Sequence, residues 1–207
     1  MEEYQTGGNR NPFNYQKVEQ IGRDVSTTWI PLTTVADQLN LYGDTSQDDL
    51  LYGLELASRM VIEDYIGQSM FPCQYRVYYN AGSLSGTPLT LDLPEVSQSI
   101  TVDAVKYWDS SNTLQTVASN GYYYDDSGNK VVVATLPTDL NTGRTSPVYC
   151  EYTLDASHLA NYPVVQQASL LMLMHLYNNR SNTTEKIVRE IPFGVSSLLR
   201  PYKDLVL

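Results

Sequence analysis

The hydrophobic period of this chain changes twice, and little else constrains its fold as tightly. Leu50, Leu54, Ala57, Val61 and Tyr65 recur at three- and four-residue spacing, with Leu51, Ser58 and Ile62 beside them. That spacing predicts an amphipathic helix of about five turns. From Phe71 the period drops to two. Tyr75, Val77 and Tyr79 alternate with Gln74, Arg76 and Tyr78, and Leu89, Leu91 and Leu93 alternate up to Pro94. Further short strands are expected over 100–107, 113–117, 122–124, 130–135 and 148–153, with Asp126-Ser127-Gly128-Asn129 as a tight turn. Short strands at this spacing predict an antiparallel sandwich or barrel. At Pro163 the helical period returns. The expected fold class is therefore α+β: a small helical bundle of two N-terminal helices and a long C-terminal helix, with an inserted β sandwich or barrel and an extended C-terminal tail.

Local signals place the boundaries. Residues 1–28 have no periodicity and carry Gly7-Gly8-Asn9 and Asn11-Pro12, so they read as an extended N-terminal arm. A first short helix is expected over 34–41, capped by Thr33 or Thr34, with Asp37 returning to the cap. A second follows Ser46 as cap, with Asp48 and Asp49 favourable to the helix dipole. Gly67 stands where a left-handed C-terminal cap belongs. The resulting divisions are 29–70 with 155–185 as the helical domain, 71–154 as the β domain, and 186–207 as the tail.

The stretch from Pro163 to Pro201 joins three parts. Pro163 suits the first position of a helix. The helix is Leu-rich through Leu170, Leu171 and Leu173 and closes on Tyr177 to Arg180. After a polar gap come Ile191-Pro192-Phe193-Gly194-Val195, then Leu198-Leu199-Arg200-Pro201-Tyr202. In this order the parts resemble the head-tail connector (adaptor, head-completion) proteins of tailed bacteriophages. Those proteins end in a Leu-rich helix closing on Tyr-x-x-Arg, then a Pro-Phe-Gly-Val, Leu-Leu, Pro-Tyr tail. The likeness extends to Asp48-Asp49 before the second helix and to Glu63-Asp64-Tyr65-Ile66-Gly67 at its end. It covers Trp29 to Tyr202. Lys203 stands where family tails often carry Arg.

The resemblance implies a structural virion protein of the neck, not an enzyme. It implies a homo-oligomeric ring of about a dozen copies. That ring would dock on the portal protein, extend the DNA channel and receive a downstream neck, stopper or tail protein. The predicted partner-binding set is Ile191, Phe193, Val195, Leu198, Leu199 and Tyr202, since an apolar terminal segment should not float free in water. The alternative is that the tail folds back on its own core.

Composition excludes several other classes. Net charge is −10, and the 13 Lys and Arg are scattered, so specific binding to passing double-stranded DNA is not expected. No run of about 18 apolar residues marks a membrane helix, and Met1-Glu2-Glu3-Tyr4 is no secretory leader. The chain reads as one made in a host cytoplasm. Cys73 and Cys150 are too few for a disulfide framework. Two Cys with His158 and His175 do not make a metal site. Asp155-Ala156-Ser157-His158 is adjacency, not a catalytic triad. Asp125-Asp126-Ser127-Gly128-Asn129 lacks the calcium-loop pattern. No catalytic residue, cofactor or metal is predicted. Seventeen Tyr against three Phe suits half-exposed strands and interfaces alike. A second reading takes exposed Tyr and Trp108 as stacking platforms of a carbohydrate- or ligand-binding β module on a helical scaffold.

Overall fold

The computed structural model describes residues 13–84, 86–94, 98–135, 137–179 and 193–203. The chain divides into two compact units, residues 1–22 with 74–154 and residues 23–73 with 155–207.

The first unit is a sandwich of two antiparallel sheets over one core. Its strands are β1 (Tyr15–Arg23), β2 (Cys73–Tyr79), β3 (Leu89–Asp92), β4 (Ile100–Trp108), β5 (Leu114–Thr116), β6 (Tyr122–Asp125), β7 (Lys130–Val133) and β8 (Val148–Leu154). The larger sheet has the order β1-β2-β8-β4-β5, the smaller β3-β7-β6. Alternation does the packing. Val148, Cys150, Tyr152 and Leu154 of β8 point into the core, as do Val77 and Tyr79 of β2, against Leu89, Leu91, Val131 and Val133 of the smaller sheet. The β4–β8 pairing slips by one residue between Val102 and Ala104, a bulge that re-aims the side chains beyond it. The 126–129 turn closes β6 on β7, with Asp125 paired to Lys130 and Asn129 at φ 50°.

One expectation is corrected here. Residues 15–23 are not an arm but an edge strand of the larger sheet. Their burial alternates too weakly to stand out in sequence, because one edge and much of one face stay in solvent.

The second unit is helical: α1 (Leu32–Gln38), α2 (Asp48–Ile66), α3 (Pro163–Asn178) and α4 (Phe193–Leu199). Pro163 opens α3 at its first turn, and Gly67 caps α2 at φ 80°, both as their chemistry predicts. The N-caps differ from expectation. α1 begins after Pro31 with no side-chain cap, so Thr33 and Thr34 lie inside it. α2 is preceded by Gln47, while the Ser46 amide bonds to Asp44 Oδ1. The tail is not extended either: Phe193–Leu199 is a helix, followed by a 3-10 turn over Arg200–Tyr202.

Two apolar clusters hold this unit. Ile62, Ile66, Met70, Leu159, Val165, Ala168, Met172, Val195 and Leu199 form one; Ile30, Val35, Leu51, Leu170 and Leu173 form the other. The buried stripe of α2 carries more charge than the spacing predicts. Leu50 is exposed, whereas Glu55, Ser58, Arg59 and Glu63 are buried among Leu51, Ile62 and Ile66.

Candidate interaction surface

The apolar C-terminal segment is the predicted site, and the structure distributes its residues unequally. Val195 and Leu199 stand four apart on α4, hence on one face, and both are fully buried. They pack with Val165, Ala168 and Met172 of α3 and Ile62 and Ile66 of α2. Two of the six predicted partner residues are thus spent on the chain's own core, as the fold-back alternative requires. Leu198 and Tyr202 lie at the margin of that core, half-buried. Ile191 lies outside the described residues, and Phe193 is described only as the first backbone position of α4.

Aromatic contacts fix the end of the segment. The Tyr202 ring meets Tyr162 edge-on, 5.8 Å between centroids, and Tyr162 meets His158 likewise at 5.5 Å. Tyr65 Oη donates to the Ser196 carbonyl at 3.4 Å, and Lys203 stands 5.3 Å over the Tyr65 ring. Between α3 and α4 remains a shallow pocket of about 260 Å3, lined by Leu171, Met174, His175, Asn178, Gly194 and Val195. Its lining is mostly apolar, with side-chain amides and the His175 imidazole at its polar side.

A second feature has no signature in the hydrophobic pattern. Tyr52, Glu55, Arg59 and Glu63 run along one side of α2 and grip the segment from Arg23 to Ile30. Tyr52 donates to the Ser26 carbonyl. Glu55 Oε1 accepts the amides of Trp29 and Ile30 at 3.0 and 2.9 Å. Arg59 Nη2 donates to the Asp24 carbonyl at 2.5 Å, and its guanidinium lies 4.8 Å over the Phe71 ring. Glu63 accepts from Arg23 Nη2 at 2.7 Å and from the Met70 amide at 2.8 Å. Burial pushes the Glu55 carboxyl above its ordinary range, against the pull of the two amides and Arg59. Asp24 is drawn down to about 2 by hydrogen bonds from the Thr27 side chain and the Thr27 and Ser26 amides. Buried charged side chains of α2 thus hold backbone atoms of a segment that is itself largely half-buried or exposed.

The other sequence candidates stay apart. Cys73 and Cys150 are buried and form no disulfide, and burial raises the Cys150 thiol far above the range of a reactive cysteine. Among the described residues no group of three His, Cys, Asp or Glu could hold a metal ion, and no helix is long and apolar enough to cross a membrane. Trp108, offered as a stacking platform, is covered by Arg144, whose guanidinium carbon lies 4.0 Å from the ring centroid.

No protein-family model matches the chain, and no curated protein matches it significantly. Solved structures do. A chain of the neck of an empty gene transfer agent particle, computed with C6 symmetry, superimposes with TM-score 0.62 at 20% identity, covering 93% of this chain and 97% of that one. A chain of the virion of the native particle gives 0.60 at 20% identity with the same coverage. A chain of the neck of the native particle, computed with C12 symmetry, gives 0.54 at 19%. At this identity the likeness establishes a shared fold, running through both units.

Proposed function

We propose that this chain is a structural protein of the neck of a tailed-phage-type particle. It would assemble as a ring adaptor of about twelve copies that docks on the portal, extends the DNA channel and joins the capsid to the tail. The observation that carries this reading is the likeness over 93% of the chain to chains from necks and a virion of gene transfer agent particles. The C-terminal motif order, read independently from sequence, points the same way. The net charge of −10 suits a wall along which DNA passes without sticking. The work of such a protein is positioning and contact, not bond chemistry.

Portal docking falls to Ile191 and Phe193 together with the half-buried Leu198 and Tyr202, while Val195 and Leu199 hold α4 against its own core. An anchored short helix needs less ordering on binding than a free tail, which lowers the entropic cost of docking. The experiment is the mass of the purified chain, alone and mixed with a portal ring, by mass photometry. A closed ring on the portal is the expected result. Ile191→Ser with Phe193→Ser should cut portal-bound rings at least tenfold at unchanged circular dichroism. A wild-type chain that ignores the portal would overturn the reading.

A further inference from the structure

The larger sheet carries a face on which cations are held against aromatic rings. Arg76 stands 4.8 Å over the ring of Tyr149, and Lys106 stands 6.0 Å from it. Lys17 stands 5.2 Å over Tyr78, whose ring lies 5.6 Å from Tyr149. Arg144 covers Trp108 and donates to Asn112 Oδ1 at 2.6 Å. Four of the chain's 13 Lys and Arg thus share one surface. Three carboxylates accompany them: Glu151, bound to Arg76 and Lys106 at 2.6 and 2.8 Å; Glu19; and Asp103, which accepts from Thr153. Stacking and ion pairing fix these long side chains in advance, so little side-chain freedom is left to lose on contact.

The helical unit carries the opposite pattern. From Asp24 to Ser58 there are six carboxylates and no Lys, Arg or His. Asp37, Asp44 and Asp49 are exposed and Asp48 is half-exposed. Beside them Tyr42 is 86% exposed, its hydroxyl meeting Asn40, and its backbone sits at φ 47°. A large aromatic side chain in the left-handed region, standing in solvent, is an outlier on both counts. Tyr52 and Leu50 are exposed nearby in sequence.

We propose that the Tyr42 loop and the start of α2 in one copy dock on the cation–aromatic sheet face of a second copy. The inference rests on the ring reading above and names its subunit contact. A ring closes through a heterologous contact, two different surfaces meeting at every joint. Between chains of charge −10, acidic surface against acidic surface is repulsive. The sheet face is where cations outnumber carboxylates, and the shoulder from Asp24 to Ser58 is where cations are lacking. Tyr, Trp and Arg are the residues that anchor protein interfaces. DNA is the weaker occupant, because one cation in excess over the carboxylates releases few counterions.

The test uses two full-length variants. Lys17→Glu with Arg144→Glu makes the sheet face acidic; Asp48→Lys with Asp49→Lys turns the start of α2, part of the proposed contact, from acidic to basic. Each variant alone should lose rings at least tenfold on the portal, by mass photometry. An equimolar mixture should restore them, since the two variants can alternate around the ring. Rings from both variants separately would overturn this contact and leave the ring reading standing. A wild-type chain that never forms rings would overturn both. Variants that form rings yet lose retention of a short DNA duplex would overturn the contact and assign the face to nucleic acid. Tyr42→Gly guards against misfolding as an explanation: it relieves the positive φ, so the thermal midpoint should hold or rise while ring yield falls. An unchanged ring yield in that variant would also overturn the proposal.

Discussion

Arg59 is the residue on which most of the helical unit's polar order converges. It is fully buried, holds the Asp24 carbonyl, stacks on Phe71 and stands 4.0 Å from Glu63. Its Nε and Nη1, with Glu55 Oε2, meet no hydrogen-bond partner among the described residues. Removing one member of such a buried set leaves the others uncompensated, so Arg59→Ala should cost about 3–5 kcal/mol in urea denaturation. Glu55 makes a pH prediction. Its folded carboxyl titrates above the unfolded one because burial disfavours the charge. The stability this confers is fully present below the unfolded value of 4.5 and is lost as pH rises through the folded value. Wild type should therefore gain on Glu55→Gln as pH falls from 7 towards 4.5, measured by paired thermal melts. A gap independent of pH would mean that Glu55 titrates alike folded and unfolded.

Among elements, α4 departs furthest from what its sequence invites. Seven residues make a helix too short to persist alone, and it stands because Val195 and Leu199 fill a groove of their own unit. Leu199→Ala should cost about 2–5 kcal/mol, read as a lowered midpoint in denaturant. A loss below about 0.5 kcal/mol would mean the side chain is not in the core. Deleting residues 186–207 removes the same contacts, so loss of portal binding in that truncation would report core damage and docking together. Side-chain changes at Ile191 and Phe193 separate the two better.

Across the whole chain, two units each keep a core of their own, the sandwich around Tyr79, Leu91 and Tyr152 and the helices around Ile62, Leu173 and Leu199. Protection against hydrogen exchange should follow that division. Leu199→Ala should speed exchange at amides of α2 and α3 and leave β4 and β8 as in wild type. Uniform acceleration over both units would show a single cooperative block instead.

Period and punctuation determined much of this protein from sequence alone. The switches from helix to strand and back located the inserted sandwich. Pro163 and Gly67 set two helix limits, because proline lacks an N–H and glycine accepts a positive φ wherever they stand. Tertiary structure decided the rest. Residues 15–23 became a strand because a neighbouring strand supplied hydrogen bonds that no local pattern encodes. Glu55, Arg59 and Glu63 are buried because they hold backbone groups of other segments, Asp24, Trp29, Ile30 and Met70, which only the fold brings to α2. Val195 and Leu199 look the same in sequence as an apolar tail seeking a partner. Only the groove between α2 and α3 decides that they are buried at home, because burial depends on which surfaces meet, and apolar side chains carry no mark of their neighbour.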